Sequence, residues 1–325
     1  MRRREFITIV GMAAVWSHAG DAQQAANPVI GFLHSQTLAS ESTRIAAIKE
    51  GLKEAGFVVG RNLTIEHRFA DGHNDRLPTL ADELVRLKVN VVFANTTPPA
   101  IAAKAATASI PIVFVTGVNP VELGLVASFN RPGANVTGVT FLSNKLVAKR
   151  LELLSNLVPG IAPIGMLAAR DNPNTDMDVK DALAAANALG RTLHVVKVSP
   201  EGGIDAAVAA LLQQRVGSLF VAPQADVRIW RDQLLALATR HALPTSFAST
   251  EIVAAGGLMS YGPDQSESYR EAAIYAGRIL KGEKPADLPI LVATKFEFVI
   301  NLRTAKALSL TMPPSLLALA TNLIE

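Results

Sequence analysis

From Val29 onward the chain alternates between short apolar runs and stretches of helical spacing, a pattern that points to folds built on parallel sheets. The spacing predicts strands over 29–33, 62–69, 89–94, 110–115 and 135–141, with helices over 41–55, 75–88 and 100–108. Leu77, Leu80, Leu84 and Leu87 are expected to share the buried face of the second helix. The series resumes with helices over 145–157, 176–189, 204–215 and 226–241, between strands over 161–168, 192–198, 217–222 and 244–248. Gly56 and Gly190 stand where two of the helices should stop. Apolar strands linked by helices imply sheets covered on both faces. A series this long also fits a closed barrel. The connection over 116–135 weighs against closure, because it is rich in Gly, Pro and Asn and lacks a full helix. The preferred reading is therefore α/β with two open sheets and a hinge.

The tail continues with a helix over 263–281 ended by Gly282, an extended piece over 285–289 and a strand over 296–300. A short helix over 303–308 and a closing helix after Pro313-Pro314 complete it. This tail is long enough to cross between the halves again. The expected division is 28–141 plus 262–288 in the first lobe and 142–261 plus 289–325 in the second.

The first residues read as an export address. Arg2, Arg3 and Arg4 precede an apolar run from Ile7 to Trp16, and Gly20 and Ala22 occupy the −3 and −1 positions of a cleavage site before Gln23. The run is too short to span a bilayer. Arg3-Arg4-Glu5-Phe6-Ile7 also fits the twin-arginine pattern, whose translocon carries folded proteins. Loss of residues 1–22 would change the formal charge from +3 to +2. The expectation is an exported, periplasmic chain with no membrane insertion and, lacking a lipobox cysteine, no lipid anchor.

Composition removes several function classes. With 49% hydrophobic and 18% charged residues the chain is not intrinsically disordered. It has no cysteine, hence no disulfide, thiolate metal site or cysteine nucleophile. The charge is too balanced to suggest a nucleic-acid partner. There is no G-x-S-x-G, P-loop, early G-x-G-x-x-G or H-E-x-x-H. His67 and His73 flank Asp71, and Asp171, Asp176 and Asp178 recur, but neither set has metal-loop spacing; solvated loops and a helix start account for them. No catalytic residue, metal or cofactor is expected.

What recurs instead is a polar cluster at the carboxyl end of each strand, where open α/β sheets bind their ligands. The first half offers Ser35-Gln36, then Asn95-Thr96-Thr97, then Thr116-Gly117. The second offers Arg170-Asp171-Asn172, Gln224 with Asp226, Ser249-Thr250 and Tyr261. The segment Asn95 to Pro99 is the most informative, because a hydroxyl beside a helix start suits a small anion such as a carboxylate. An ordinary N-cap followed by proline fits the same residues. Arg170 serves equally as a salt-bridge partner of Asp171 or Asp176, and Tyr261 as a brace for the hinge. Trp230 reads as core.

Several longer stretches are more specific. They include the leader RRREF, then GRNLTIEHRFADGHNDRLPTLADELVRLKVNVVFA, NPVELGLVASFNRPGANVTGVT, KRLELL, GGLMSYGPD, YREAAIYAGRILKGEKPADLP and TKFEFVINLRTAKALSLTMP. On these the chain resembles the substrate-binding proteins of ABC importers of the tryptophan/tyrosine transport-system type, which have the type I periplasmic binding protein fold. The resemblance implies a two-lobed, non-enzymatic, monomeric receptor that closes on a small polar or carboxylate-bearing molecule. An amino acid, aromatic ones included, falls in that class. It also implies delivery of that ligand to an ABC permease and its ATPase. Thr96, Thr97 and Thr116 match the family's ligand loops by position. The family's usual G-T-P-A-A loop, however, reads Asn95-Thr96-Thr97-Pro98-Pro99-Ala100 here, and the loop around Gln224 also departs. The family name therefore does not fix the ligand. A ligand sensor for a membrane signalling receptor and a periplasmic α/β enzyme are the rival expectations.

Overall fold

Five strands and three helices lead the chain through its first sheet. The computed structural model describes residues 27–158, 160–199, 203–223 and 230–325; the leader, Gln224 and Asp226 lie outside them. The chain enters through β1 (Val29–His34), α1 (Ser42–Glu54), β2 (Thr64–Phe69), α2 (Leu77–Arg86), β3 (Val91–Asn95), α3 (Thr97–Ala106), β4 (Ile112–Thr116) and β5 (Val136–Thr140). It then passes to α4 (Val147–Leu157), β6 (Ile164–Ala169), α5 (Thr175–Ala188), β7 (Leu193–Val198), α6 (Ile204–Gln213), β8 (Ser218–Val221), α7 (Arg231–Arg240), β9 (Thr245–Phe247), α8 (Thr250–Ala254) and β10 (Met259–Pro263). The tail holds α9 (Gln265–Leu280), β11 (Leu291–Val292), β12 (Phe296–Asn301), α10 (Leu302–Ala307), α11 (Pro314–Leu319) and β13 (Asn322–Ile324).

Two open sheets result, not a barrel. The first has the order β11-β5-β4-β3-β1-β2 and all its pairings are parallel. The second runs β13-β12-β10-β9-β8-β6-β7, parallel except where β10 meets β12. The inner order is the same in both, so one winding scheme is used twice. Apolar side chains fill both faces of each sheet. In the first, Ile30, Phe32 and Phe93 pack with Ile48, Leu52 and Tyr269, while Leu33, Ala94 and Phe114 pack with Leu80 and Leu84 on the other face. Trp230 is buried in the core of the second lobe, as expected, beside Leu234 and Val299.

Local signals hold where they have a steric basis. Gly56 (φ 89°) and Gly190 (φ 64°) follow the ends of α1 and α5 in the left-handed region, which glycine enters without a Cβ penalty. Leu77, Leu80 and Leu84 are buried as expected, but Leu87 is 51% exposed, because it caps α2 and has turned off its face. The helix expected over 263–281 begins two residues late. Pro263 ends β10, and Asp264 caps α9 by accepting a hydrogen bond from the Glu267 N–H at 3.1 Å.

The chain crosses between the lobes three times: after β5, between β10 and α9, and between β11 and β12. The last two crossings differ slightly from expectation. Gly262 and Pro263 pair within the second sheet, and Leu291–Val292 pairs with Val139 and Thr140 of the first. Adjacent crossings are tied together, since the Asp264 N–H bonds the Lys295 carbonyl at 2.9 Å and the Lys295 ammonium sits 2.8 Å from the Asp264 carboxylate. Among the described residues no helix is long and apolar enough to cross a membrane.

Candidate functional site

The carboxyl ends of both sheets face one cavity, which encloses about 760 Å³ with its open mouth included. The first lobe contributes Thr96 and Thr97 at the start of α3, Thr116 and Gly117 after β4, and Arg44, Gln265 and Tyr269 from the first turns of α1 and α9. The second contributes Asn172 and Asn174 at the start of α5, Ser249 before α8, and Val221, Ala222 and Phe247 from strand ends. Phe141 and Ser143 line it from the first crossing.

Helices α3, α5 and α9 all present their amino termini to this space, so three positive dipole ends converge on it. In α3 the prolines Pro98 and Pro99 leave two first-turn positions without an N–H to offer an anion. The hydroxyls take their place. Thr96 holds φ at 85°, a costly conformation for a threonine, and its hydroxyl lies 3.2 Å from that of Ser35. The Thr97 and Thr116 hydroxyls are 2.6 Å apart, and the Asn174 amide donates to Thr97 at 3.3 Å. That last bond spans the cleft, because Asn174 belongs to the second lobe and Thr97 to the first.

Behind the first-lobe wall lies a buried polar network. Arg44 donates to Glu41 at 3.0 Å and to Gln265 at 2.9 Å, with its guanidinium 5.1 Å over the Tyr269 ring. Glu41 has no exposed surface and also accepts from the Asn95 amide at 2.6 Å. The Tyr269 hydroxyl donates to the Asn95 side-chain oxygen Oδ1 at 2.6 Å. His34 closes the network, 3.3 Å from both Asn95 and His67. Burial, then the neighbouring His67 and Arg44, push the His34 imidazole down to about 3 from its ordinary 6.5.

A pH dependence follows. His34 resists protonation only in the folded state, so its contribution to stability is complete above pH 6.5 and declines as the pH falls toward 3. Unfolding by urea should show wild type losing about 3 kcal/mol more than His34→Gln between pH 7.5 and pH 4. The comparison needs the variant, because burial pushes the Asp178 carboxyl up to about 7 despite Arg150 nearby, and that group titrates over the same range with the opposite sign. Parallel curves for the two proteins would refute the assignment.

Of the residues expected from sequence, Thr96, Thr97, Thr116, Gly117, Asn172 and Ser249 line the cavity. Ser35, Gln36 and Asn95 are buried but do not reach its surface. Four are elsewhere. Arg170 is exposed and bonds the Lys197 carbonyl at 3.3 Å, and Asp171 is exposed beside it. Thr250 donates to Glu297 at 3.1 Å, and Tyr261 packs on Phe296 and Phe298 of the neighbouring strand. Arg44, Phe141, Asn174, Phe247 and Tyr269 were not anticipated. Asn174 and Phe247, each two residues from an expected site residue, carried a nearby signal.

Comparison with known proteins gives consistent relatives. A family model described as ABC transporter substrate binding protein matches residues 34–324. A Tyrosine-binding protein of Clostridioides difficile (strain R20291) is 27% identical over 262 residues, 80% of this chain and 75% of that protein. The crystal structure of a conserved domain protein from Vibrio cholerae is similar at a TM-score of 0.85, with 26% identity over 91% of this chain and 99% of that one. An ABC domain from Streptococcus pneumonia, solved in complex with L-Trp, gives a TM-score of 0.83 and 26% identity over 92% of this chain and 100% of that one.

Proposed function

The chain belongs to the family of ABC transporter substrate-binding proteins, solute receptors that deliver to an ABC importer, and from that premise we propose that it captures a small carboxylate-bearing molecule between its two lobes. The observation that carries the reading is a single cavity lined from both sheets, with the Asn174–Thr97 bond joining its walls. A ligand that touches both lobes favours the closed arrangement over the open one, and the importer reads the closed form. A carboxylate fits three convergent helix amino termini and the hydroxyls of Thr97 and Thr116. Phe141, Phe247 and Tyr269 offer apolar faces for the rest of the molecule. Tyrosine and L-Trp, named for two relatives, combine those same features. Thr96, Thr97, Thr116, Asn172, Asn174 and Ser249 are the polar ligand-contact residues of this reading; the protein acts by binding, without a catalytic step.

Titration calorimetry tests this on protein freed of ligand by unfolding and refolding. The panel comprises amino acids, aromatic carboxylates, sugars and polyols. One compound class with a carboxylate should bind at one site per chain and raise the melting temperature, by about 2.7 kcal/mol of stabilisation at a hundred times Kd. Binding confined to neutral sugars would overturn the carboxylate reading.

The same reading places the protein in the periplasm, exported by the segment that begins Met1-Arg2-Arg3-Arg4. With Arg3→Lys and Arg4→Lys together, cell fractionation should find uncleaved precursor retained in the cytoplasm. Undiminished export of that variant would assign the leader to the general secretory route.

A further inference from the structure

We propose, building on the carboxylate reading above, that Asp178 couples ligand capture to proton uptake. The ligand carboxylate and the Asp178 carboxylate compete for the buried cation Arg150, and the ligand is held most tightly when Asp178 is neutral. Placement is the first observation. Arg150, in α4, is 2% exposed; its guanidinium lies 4.0 Å over the Phe220 ring and donates to the Val221 carbonyl at 2.5 Å. Val221 lines the cavity, so the charge sits one hydrogen bond behind the second-lobe wall. Asp178, in α5, is 1% exposed, and its N–H donates at 3.0 Å to the carbonyl of Asn174, another wall residue. An anion held at the start of α5 is therefore about one helical turn, roughly 5.4 Å, from Asp178.

The second observation is that this pair is incompletely matched. Each group feels the other's charge, yet Arg150 Nε and Asp178 Oδ2 are both buried without a hydrogen-bond partner. Attraction at that quality does not offset the desolvation of two ions. Burial accordingly pushes the Asp178 carboxyl up to about 7 against the pull of Arg150, whereas the guanidinium, lowered by burial to about 9, is still charged there. Near neutrality the carboxylate gives up its charge beside a cation that keeps its own.

The surroundings leave Arg150 as the group that decides. Among the described residues, Asp181 on α5 is half-buried and adds to the upward push on Asp178. Asp176 is engaged by Lys197 of β7 at 2.6 Å, and Lys149 and Glu152 of α4 pair with each other at 2.9 Å in solvent. Lys180 on α5 and Lys145 in the turn Ser143–Leu146 are exposed. His194 of β7 is in register with Gly165, on the sheet face toward α6, and β6 brings no charged residue. A ligand carboxylate at the start of α5 becomes a second counter-charge for Arg150 and repels the charge on Asp178, so the bound state raises the proton affinity of Asp178. By linkage, affinity is complete where Asp178 is already protonated and falls as the pH rises through its ligand-free value.

Calorimetry on ligand-freed protein, at several pH values and in two buffers of different ionisation enthalpy, tests this. The probes are L-tryptophan, L-tyrosine, 3-phenylpropionate and indole-3-propionate, whose carboxylates are ionised throughout. A rise of about one unit at Asp178 gives about fivefold tighter binding at pH 6 than at pH 8, with uptake of about 0.4 proton per ligand at pH 7. Asp178→Asn fixes the neutral form; it should bind at pH 8 as tightly as wild type does at pH 6, with no proton uptake. Binding that is flat between pH 6 and pH 8, or tighter at pH 8, would overturn the inference and leave the carboxylate reading intact. An unchanged pH dependence in Asp178→Asn would overturn it as well, by moving the proton to another group. If that variant does not fold, the wild-type proton count alone decides. No binding by any of the four probes would also overturn it, and the broader panel above would then decide the receptor reading separately.

Discussion

Replacing Arg44 by methionine is expected to lower the unfolding free energy by about 3–5 kcal/mol, the usual cost of stranding one partner of a buried ion pair. Arg44 is 7% exposed and Glu41 fully buried, so Glu41 would be left charged without its partner or would have to take up a proton. Methionine fills much of the same volume, which keeps a packing defect from dominating the result. At about 2–4 °C per kcal/mol for a domain of this size class, the melting temperature should fall on the order of 10 °C. Ligand binding should go with it, because Arg44 also holds Gln265 and stacks on Tyr269, two residues of the cavity wall. The double variant Glu41→Gln with Arg44→Met removes the stranded charge and should recover part of the stability but not the binding. A single variant as stable as wild type would show that the pair adds nothing to the fold.

Gly51→Val should be nearly as damaging, through a different cause. A Cβ built on Gly51 in α1 would overlap the Arg270 carbonyl oxygen in α9, and one built on Gly277 in α9 would overlap the Ala55 side chain in α1. The two helices therefore meet backbone to backbone at Gly51, and Gly277 lies against the Ala55 methyl at the end of α1, with Arg270 bridging to Glu54 at 2.5 Å. No rotamer change relieves an overlap with a backbone atom, so α9 would have to move. Overpacking of this kind costs about 1–3 kcal/mol and more when the obstacle is main chain; the expectation is at least about 3. Because α9 carries Gln265 and Tyr269 into the cavity, the surviving folded fraction should also bind ligand more weakly. Denaturant unfolding and calorimetry on the same preparation measure both. Gly277→Ala should have the same sign with a smaller size.

The two lobes were legible because their strands and helices are long enough to show a period. Val29 to Leu33 and Ile110 to Val115 read as buried strands, and the structure places strands over Val29–His34 and Ile112–Thr116. The elements not foreseen are short. α8 spans five residues, β11 two and β13 three, and none contains a full repeat. β10 was missed for another reason: its antiparallel partner β12 lies more than thirty residues on, and Pro263 reads locally as a helix start. The site divides in the same way. The rule that ligands gather at strand carboxyl ends found Thr96, Thr97, Thr116, Asn172 and Ser249, but it names a neighbourhood and not a direction. Arg170 and Asp171 share the loop of Asn172, yet they face solvent. Arg44 and Tyr269 reach the cavity from helices whose placement depends on the close approach of α1 and α9, which sequence spacing does not reveal.

The central claim is that one small molecule is gripped by both lobes at once. Small-angle X-ray scattering on ligand-freed protein, titrated with the tightest carboxylate from the calorimetric panel, tests it most directly. The account predicts a saturable fall in the radius of gyration that tracks the calorimetric occupancy and is lost in a Thr97→Val, Asn174→Ala double variant, which lacks the bond across the cleft. A ligand that saturates the protein while the radius of gyration stays constant would contradict it.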